Sequence, residues 1–162
     1  MLRHKSLIPL SHQHQHALAL CVRIDRASPS SPAELELWQA EIEQHFEHEI
    51  KVHFFAEETI VFPYAREFPE LTPIVEGLLA DHAALRESFS QAQVRRLSAH
   101  ALLTFARQLS AHIRKEERQL FEELQRLMTP VQLADLQAKL EAALKGSAQI
   151  CSLGRNRHTA KQ

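Results

Sequence analysis

The sequence predicts an all-α chain: an antiparallel up-down four-helix bundle with a short fifth helix at its C-terminal end. Composition is the first reason. Only three glycines occur in 162 residues, while Ala, Leu, Glu, Gln and Arg are abundant and β-branched runs are missing, which favours helix over strand. Periodicity is the second, because each long segment repeats apolar residues at intervals of three and four and so builds one buried stripe. Punctuation is the third: Pro, Ser and Thr cluster between those segments, where they end one helix and begin the next. A chain of this length can bury a core without disulfides or a partner.

The first segment runs from about Ser6 to Ala27, with a stripe of Leu7, Leu10, His14, Leu18 or Ala17, Cys21 and Asp25. SPSSP, Ser28 to Pro32, is a turn-rich break. The second segment spans about Ala33 to Tyr64 with Phe46, Ile50, His53, Glu57, Ile60 and Tyr64 in line, and it stops as Pro69 approaches. Thr72 and Pro73 read as N-cap and first helical residue of the third segment, which continues to about Val94 through Leu71, Val75, Leu78, His82, Leu85 and Phe89. The fourth covers about Ser98 to Met128, with Leu102, Phe105, Leu109, His112, Glu116, Leu120 and Glu123. Thr129-Pro130 repeats the cap signature and opens a short fifth helix to about Lys145, where Gly146 is expected to close it. Residues 1–145 thus read as one domain, and the polar, aperiodic stretch 146–162 as a flexible tail. Short loops make successive helices antiparallel neighbours around one core.

Each stripe is apolar on both sides of a central polar insertion, and in an up-down bundle the four insertions lie at similar depth. An unpaired buried carboxylate costs several kcal/mol, a large share of the roughly 5 to 15 kcal/mol that holds a domain together. Two carboxylates and four imidazoles therefore need a common compensating charge, and a metal supplies it. His53 and Glu57, and likewise His112 and Glu116, stand four residues apart, on one helix face with Cβ atoms about 5 to 6 Å apart.

The order repeats: His14, then His53 and Glu57; His82, then His112 and Glu116. Two half-sites imply two metal ions, each with two nitrogens, and two glutamates placed to bridge them. Nitrogen and carboxylate donors without thiolate suit iron or manganese and admit zinc. The motif HFFAEETIVF (His53 to Phe62) matches HIRKEERQLF (His112 to Phe121) down to a second glutamate, Glu58 or Glu117. That residue sits about 100° round the helix, at an interface or on the surface, or else orients a ligand imidazole, as Asp81 could. His12, His16, His45, His48 and His100 fall off the stripes, with His16 the rival of His14.

Charge excludes other partners. With 19 basic and 20 acidic side chains mixed along the chain, nothing marks a nucleic-acid or anionic-membrane surface. Two cysteines make no disulfide framework, and no apolar stretch suits a signal peptide or a membrane span, so a cytoplasmic setting is expected.

PLSHQHQHAL, HFFAEETIVFP, ADHAALR and HIRKEERQLF together resemble the hemerythrin family, specifically its HHE cation-binding domains, over about residues 6 to 128. The resemblance implies a hemerythrin-like bundle whose His14, His53, His82, His112, Glu57 and Glu116 hold two iron ions in a non-haem centre with an oxo or hydroxo bridge, Glu57 and Glu116 bridging. It also implies a protein that binds or senses dioxygen, a related oxidant, nitric oxide or iron itself. The alternative is a di-iron peroxidase or oxidase, or an iron donor in iron-sulfur cluster repair. Oxygen-carrying hemerythrins usually place a second histidine on the third helix and His-x-x-x-x-Asp on the fourth. Here Leu78 and Arg86 flank His82, and the fourth helix has His-x-x-x-Glu, which leaves more metal positions open to water or substrate. Phe54, Leu85, Phe89 and Phe105 are candidate walls of a dry pocket.

Overall fold

The computed structural model describes the backbone of residues 2–155 and the side-chain surroundings of residues 2–145. Every regular element in that range is helical. Helix α1 is Ile8–Ala27, and it ends where Ser28 turns into the left-handed region at φ 43° while its N–H still bonds Ile24 O. Helix α2 occupies residues 32–66 as one continuous run, α-helical over Pro32–His45, Lys51–Ala56 and Phe62–Arg66 with π-turns at Phe46–Ile50 and Glu57–Val61. Ser31 starts it with a reciprocal capping box to Glu34, which satisfies backbone N–H groups that the first turn leaves without partners.

Helix α3 is Thr72–Gln93. Its start corrects the expected cap: a 3₁₀ turn at Pro69–Leu71 precedes it, Thr72 already has helical torsions, and the capping position falls to Leu71 without a side-chain bond. The extended backbone of Phe68, which precedes Pro69, is what separates α2 from α3. Helix α4 covers residues 99–127, as Ala99–Lys115, a π-turn at Glu116–Leu120 and Phe121–Leu127, and Ser98 caps it by accepting from Ala101 N at 3.2 Å. Thr129 and Gln132 cap α5 reciprocally, at 3.3 and 2.9 Å.

Helix α5 is Pro130–Arg155, so helical backbone continues through Gly146, where a stop was expected. Glycine costs a helix interior about 1 kcal/mol relative to alanine but ends it only when the chain turns left-handed, and no glycine among the described residues has positive φ. The expected tail is thus helical backbone as far as Arg155, and its remainder, 156–162, lies outside the described residues.

Helix α1 packs along α4, and as numbers rise on one they fall on the other: His14 meets Glu117, and Cys21 meets Ser110. Helices α2 and α3 pair in the same sense through Arg66 and Glu76, Glu58 and Arg86, and Glu43 and Arg95. Helix α5 lies against α2, where Tyr64 Oη bonds Asp135 and accepts from Lys139 at 2.9 Å.

The π-turns reset the apolar stripes. Each inserts about one extra residue into a turn, so the buried side chains beyond them shift forward: Val61 is fully buried while Ile60 is only partly so, and Leu124 is buried where Glu123 was expected. On α1 the inward residues are Ala17 and Ile24, whereas Leu18 is half-buried and Asp25 exposed. The buried apolar side chains then form two separate clusters. One contains Leu7, Leu10, Phe62, Leu78 and Phe121 and is sealed by Leu133, Leu136 and Leu140 of α5. The other contains Leu20, Ile42, Phe54, Phe89 and Phe105. His14, His53, Glu57, His82, His112 and Glu116 are buried polar side chains.

Candidate metal centre

All six insertion residues converge. His14 comes from α1, His53 and Glu57 from α2, His82 from α3, and His112 and Glu116 from α4, none more than 4 % exposed. They fall into two overlapping groups of potential donors. In one, His14, His53, Glu57 and Glu116 bring ligand atoms within 4.8 Å of one another; in the other, Glu57, His82, His112 and Glu116 do so. The glutamates belong to both, and they share by oxygen. Glu57 Oε1 lies 3.2 Å from His53 Nε2 and 3.8 Å from His14 Nε2, whereas its Oε2 lies 3.4 Å from His82 Nε2. Glu116 mirrors this, with Oε2 3.1 Å from His14 Nε2 and Oε1 3.2 Å from His112 Nε2.

Glu57 and Glu116 each open a π-turn. The wider turn separates His53 and Glu57 from the apolar residues that follow them, so the carboxylate enters the core while Val61 and Phe62 keep their packing. π-turns of this kind recur where a helix carries functional side chains.

Whether these residues suit a metal can be decided from their hydrogen bonds. All four oxygens of Glu57 and Glu116 are buried and have no hydrogen-bond partner, a costly state for ionised carboxylates unless a cation stands between them. The imidazoles are arranged to supply lone pairs. His14 Nδ1 donates to Glu117 Oε1 at 2.6 Å, His82 Nδ1 to Glu58 Oε1 at 2.7 Å and His53 Nδ1 to Gln13 Oε1 at 2.8 Å. With protons on Nδ1 of these three, their Nε2 atoms are acceptors: His14 Nε2 faces His53 Nε2 at 2.9 Å, and His82 Nε2 faces the Nε2 of His112, whose Nδ1 is buried without a hydrogen-bond partner, at 3.1 Å. Two facing lone pairs repel unless a proton or a metal joins them. Metal bonds of about 2.0 to 2.2 Å to nitrogen and oxygen place neighbouring donors roughly 2.9 to 3.6 Å apart, the spacing of most of these pairs, while His14–Glu57 and His82–Glu116 are wider at 3.8 Å. The donor set fits two ions with shared carboxylates.

Electrostatics point the same way. Burial pulls the His14 pKa down, but Glu116 and Glu117 outweigh it and carry the value up to about 10. Burial likewise raises the Glu116 carboxyl, yet His112 and His14 hold it well below the ordinary carboxylate range. For Glu57, burial and repulsion from Glu116 are overcome by His53 and His82, and its pKa also falls. The cluster therefore demands positive charge, which protons on imidazole provide when no metal does.

Glu58 and Glu117, which the repeat alone left between surface and support, hold imidazoles, and they do so across the repeat. Glu58 of α2 accepts from His82 of α3 and from Arg86 at 2.7 Å, whereas Glu117 of α4 accepts from His14 of α1, Ser11 at 2.7 Å and Arg3 at 2.5 Å. Asp81 takes Lys115 at 2.7 Å and stands 3.5 Å from His112 Nδ1. Gln13, which sequence reading missed, occupies the position before His14 that Asp81 occupies before His82; that parallel was the one available signal. His16 points away from the cluster, exposed and bonded to Glu49 at 2.9 Å.

Of the expected wall residues, Phe54 touches the cluster, stacked on His82 with ring centres 3.8 Å apart. Phe89 and Phe105 pack on each other in the second apolar cluster, and Leu85 lines a separate recess beside His112. Two aromatic walls were not foreseen: Phe62 stacks beside His82 and Phe121 beside His14, both at 5.6 Å. Between His14, His53, Phe54 and Leu109 lies a small cavity, with about 10 Å³ open to the centre of a water-sized sphere.

The family described as hemerythrin HHE cation binding domain matches residues 9–124. That stretch is most of the chain and contains all six converging residues. The chain belongs to the hemerythrin HHE cation-binding domain family. Comparison with curated proteins and with solved structures gave no match. Among the described residues, no helix of this HHE protein is long and apolar enough to cross a membrane.

Proposed function

We propose that this HHE protein is a non-haem di-iron protein that binds or senses dioxygen, a related oxidant or nitric oxide, within an antiparallel up-down four-helix bundle that carries an appended fifth helix. One observation carries the reading: two fully buried glutamates whose four oxygens lack hydrogen bonds and face, one each way, two pairs of imidazole nitrogens. In this assignment His14, His53, Glu57 and Glu116 hold one ion, and Glu57, His82, His112 and Glu116 hold the other. An iron pair supplies reversible exchange of electrons with a small oxidant or diatomic ligand.

The chain's own residues do the rest. Glu57 and Glu116 offset the ions' charge, while Glu117, Glu58 and Gln13 keep protons on Nδ1 and so aim Nε2 inward. Phe54, Phe62 and Phe121 exclude bulk water from the same space, which strengthens every charge interaction inside it. With each ion given four protein donors, positions stay free for a small ligand. The adjoining cavity, about the size of one water, favours a diatomic or peroxide-sized ligand over an organic substrate. A cytoplasmic setting belongs to the same proposal, supported by the free, buried thiol of Cys21.

Metal analysis with an optical spectrum tests it. Protein purified anaerobically without a nickel column is expected to hold about two irons per chain and to gain the bands of a coupled ferric pair in air. Zinc at one ion per chain, or no metal, would refute the di-iron reading.

A further inference from the structure

Each glutamate that holds His14 or His82 is itself held by an arginine. Arg3, in the stretch ahead of α1, donates from Nη2 to Glu117 Oε2 at 2.5 Å and to the Glu117 backbone oxygen at 2.8 Å, and from Nη1 to Gln125 Oε1 at 3.1 Å. Arg86 of α3 donates from Nη1 to Glu58 Oε1 at 2.7 Å, the same oxygen that accepts from His82 Nδ1. Each arginine also covers the aromatic ring that stacks on its imidazole. The Arg3 guanidinium carbon lies 5.3 Å from the centre of Phe121, which stacks on His14, and that of Arg86 lies 5.3 Å from the centre of Phe54, which stacks on His82. Both separations are within cation–π range.

The two series, arginine to glutamate to imidazole, are alike in their parts and unlike in their origin. Arg86 follows His82 on α3, so one helix carries both, whereas Arg3 stands outside α1 and reaches Glu117 on α4. The backbone around Arg3 is tied down as well: His4 N donates to Gln125 Oε1 at 2.8 Å, and Leu7 is fully buried. A carboxylate at the edge of solvent, as Glu117 and Glu58 both are, exchanges partners with water unless charge-assisted bonds fix it. On Glu117 those bonds are divided, with His14 and Ser11 at Oε1 and Arg3 at Oε2, so neither oxygen is free to turn away. The Arg3 side chain is 19 % exposed against 43 % for Arg86, and solvent therefore screens its pairing less.

We propose that Arg3 and Arg86 are positioning residues of the metal centre, each acting through its glutamate on one imidazole, so that the segment ahead of α1 supports the half held by His14 although it supplies no donor. The effect on the imidazoles stands on these contacts alone; the effect on bound ions rests on the di-metal reading above. Without Arg3, Glu117 keeps its charge but turns toward water, and the His14 ring loses the fixed partner that aims its Nε2 inward. Without Arg86 the same happens to His82, to a smaller degree because that pairing is the more solvated one.

The test compares Arg3→Gln and Arg86→Gln in the full chain with the wild type and with Arg126→Gln, a control whose arginine pairs with Glu123 on the exposed side of α4. In the metal-free chain, nitrogen NMR of isotope-labelled imidazoles reads the Nδ1 protons directly. Arg3→Gln is expected to shift or broaden the His14 signal and leave His82 in place, and Arg86→Gln to do the reverse. A His14 signal unmoved by Arg3→Gln overturns the proposal, and so does a control that moves it as far. Co(II) loading in competition with a chelator then reads the grip on the ions. Arg3→Gln should weaken one ion by about tenfold, the low end for the loss of a group that orients a ligand. On a Glu117→Gln background it should add little, whereas on a Glu58→Gln background it should keep its full effect. Equal losses on both backgrounds, or none in the single variant, overturn action through Glu117. A wild-type chain that binds no Co(II) refutes the di-metal reading instead, and the NMR comparison decides the positioning roles without it.

Discussion

Replacing Glu117 with Gln removes the negative charge that holds His14 Nδ1 at 2.6 Å but keeps the side chain's shape. In the native chain, burial works against ionisation of Glu117, yet bonds from His14 and Ser11 and the charge of Arg3 bring its pKa down to about 2, so the carboxylate is ionised throughout the physiological range. Its loss leaves the imidazole a poorer donor and frees its ring to turn. Removing a carboxylate that orients a metal-bound imidazole lowers metal affinity by about 10 to 100-fold, or roughly 1.4 to 2.7 kcal/mol. At saturating metal that difference appears as stability, and for a chain of this size it amounts to roughly 3 to 11 °C in Tm. The assay is competition with a chelator of known affinity, alongside melting with and without metal. The metal-free melt isolates what Glu117 contributes through Arg3 and Ser11. A double-mutant cycle with His14→Ala decides the mechanism: if Glu117 acts through His14, its substitution has little further effect on affinity once the imidazole is gone. Additive losses would refute the reasoning.

Phe105→Ala, in the second apolar cluster, should destabilise the chain by about 3 to 5 kcal/mol while metal content per folded chain stays the same; loss of metal would place Phe105 in the site. Gln39→Leu leaves the buried Leu97 N–H without the 2.7 Å bond it donates to Gln39 Oε1 and should cost about 1 to 3 kcal/mol by urea denaturation, a neutral result meaning that the loop finds another acceptor. Ser28→Gly relieves a left-handed residue at the exposed end of α1 and is expected to raise stability by about 0.5 to 1 kcal/mol in the same assay. The metal-free chain should release protons on binding metal at pH 7, because burial-opposed imidazoles such as His14, with a pKa of about 10, carry protons that a metal displaces; an unbuffered pH-stat titration reads this directly, and no release would contradict the charge balance of the cluster.

Much of this architecture was legible in the chain because its signals were local. Thr129 caps the helix that follows it, as the Thr-Pro signature indicated, and the depth of six polar residues followed from where each interrupts an apolar stripe. The misses were matters of phase and of long-range choice. A π-turn changes neither composition nor the apparent period, so the one-residue advance from Glu123 to Leu124 could not be read from spacing. Thr72 carried a cap residue's chemistry, but the 3₁₀ turn ahead of it moved the capping position to Leu71 and made Thr72 the first helical residue. Gln13 sits in a polar run that gives it no distinction until α1 meets α2, and only that meeting puts its amide 2.8 Å from His53. The choice between His14 and His16 was likewise open on the stripe, and it is made by the face of α1 that α4 covers.

The second glutamate of each motif explains why the repeat is H-x-x-x-E-E rather than H-x-x-x-E. In each motif the histidine faces one half of the cluster and the first glutamate faces both. The second reaches the imidazole of the half to which its own histidine does not belong: Glu58, next to Glu57, supports His82, and Glu117, next to Glu116, supports His14. One turn of α2 therefore touches both halves, and so does one turn of α4. Two mononuclear sites stacked in a bundle would have no reason to cross in this way, because each could be supported from its own helices. The proposed pair of ions would, since a shift of either helix would then move donors of both ions together. The π-turns fit the same reading, because they start at Glu57 and Glu116 and let these turns depart from regular helix while the apolar clusters on either side stay packed.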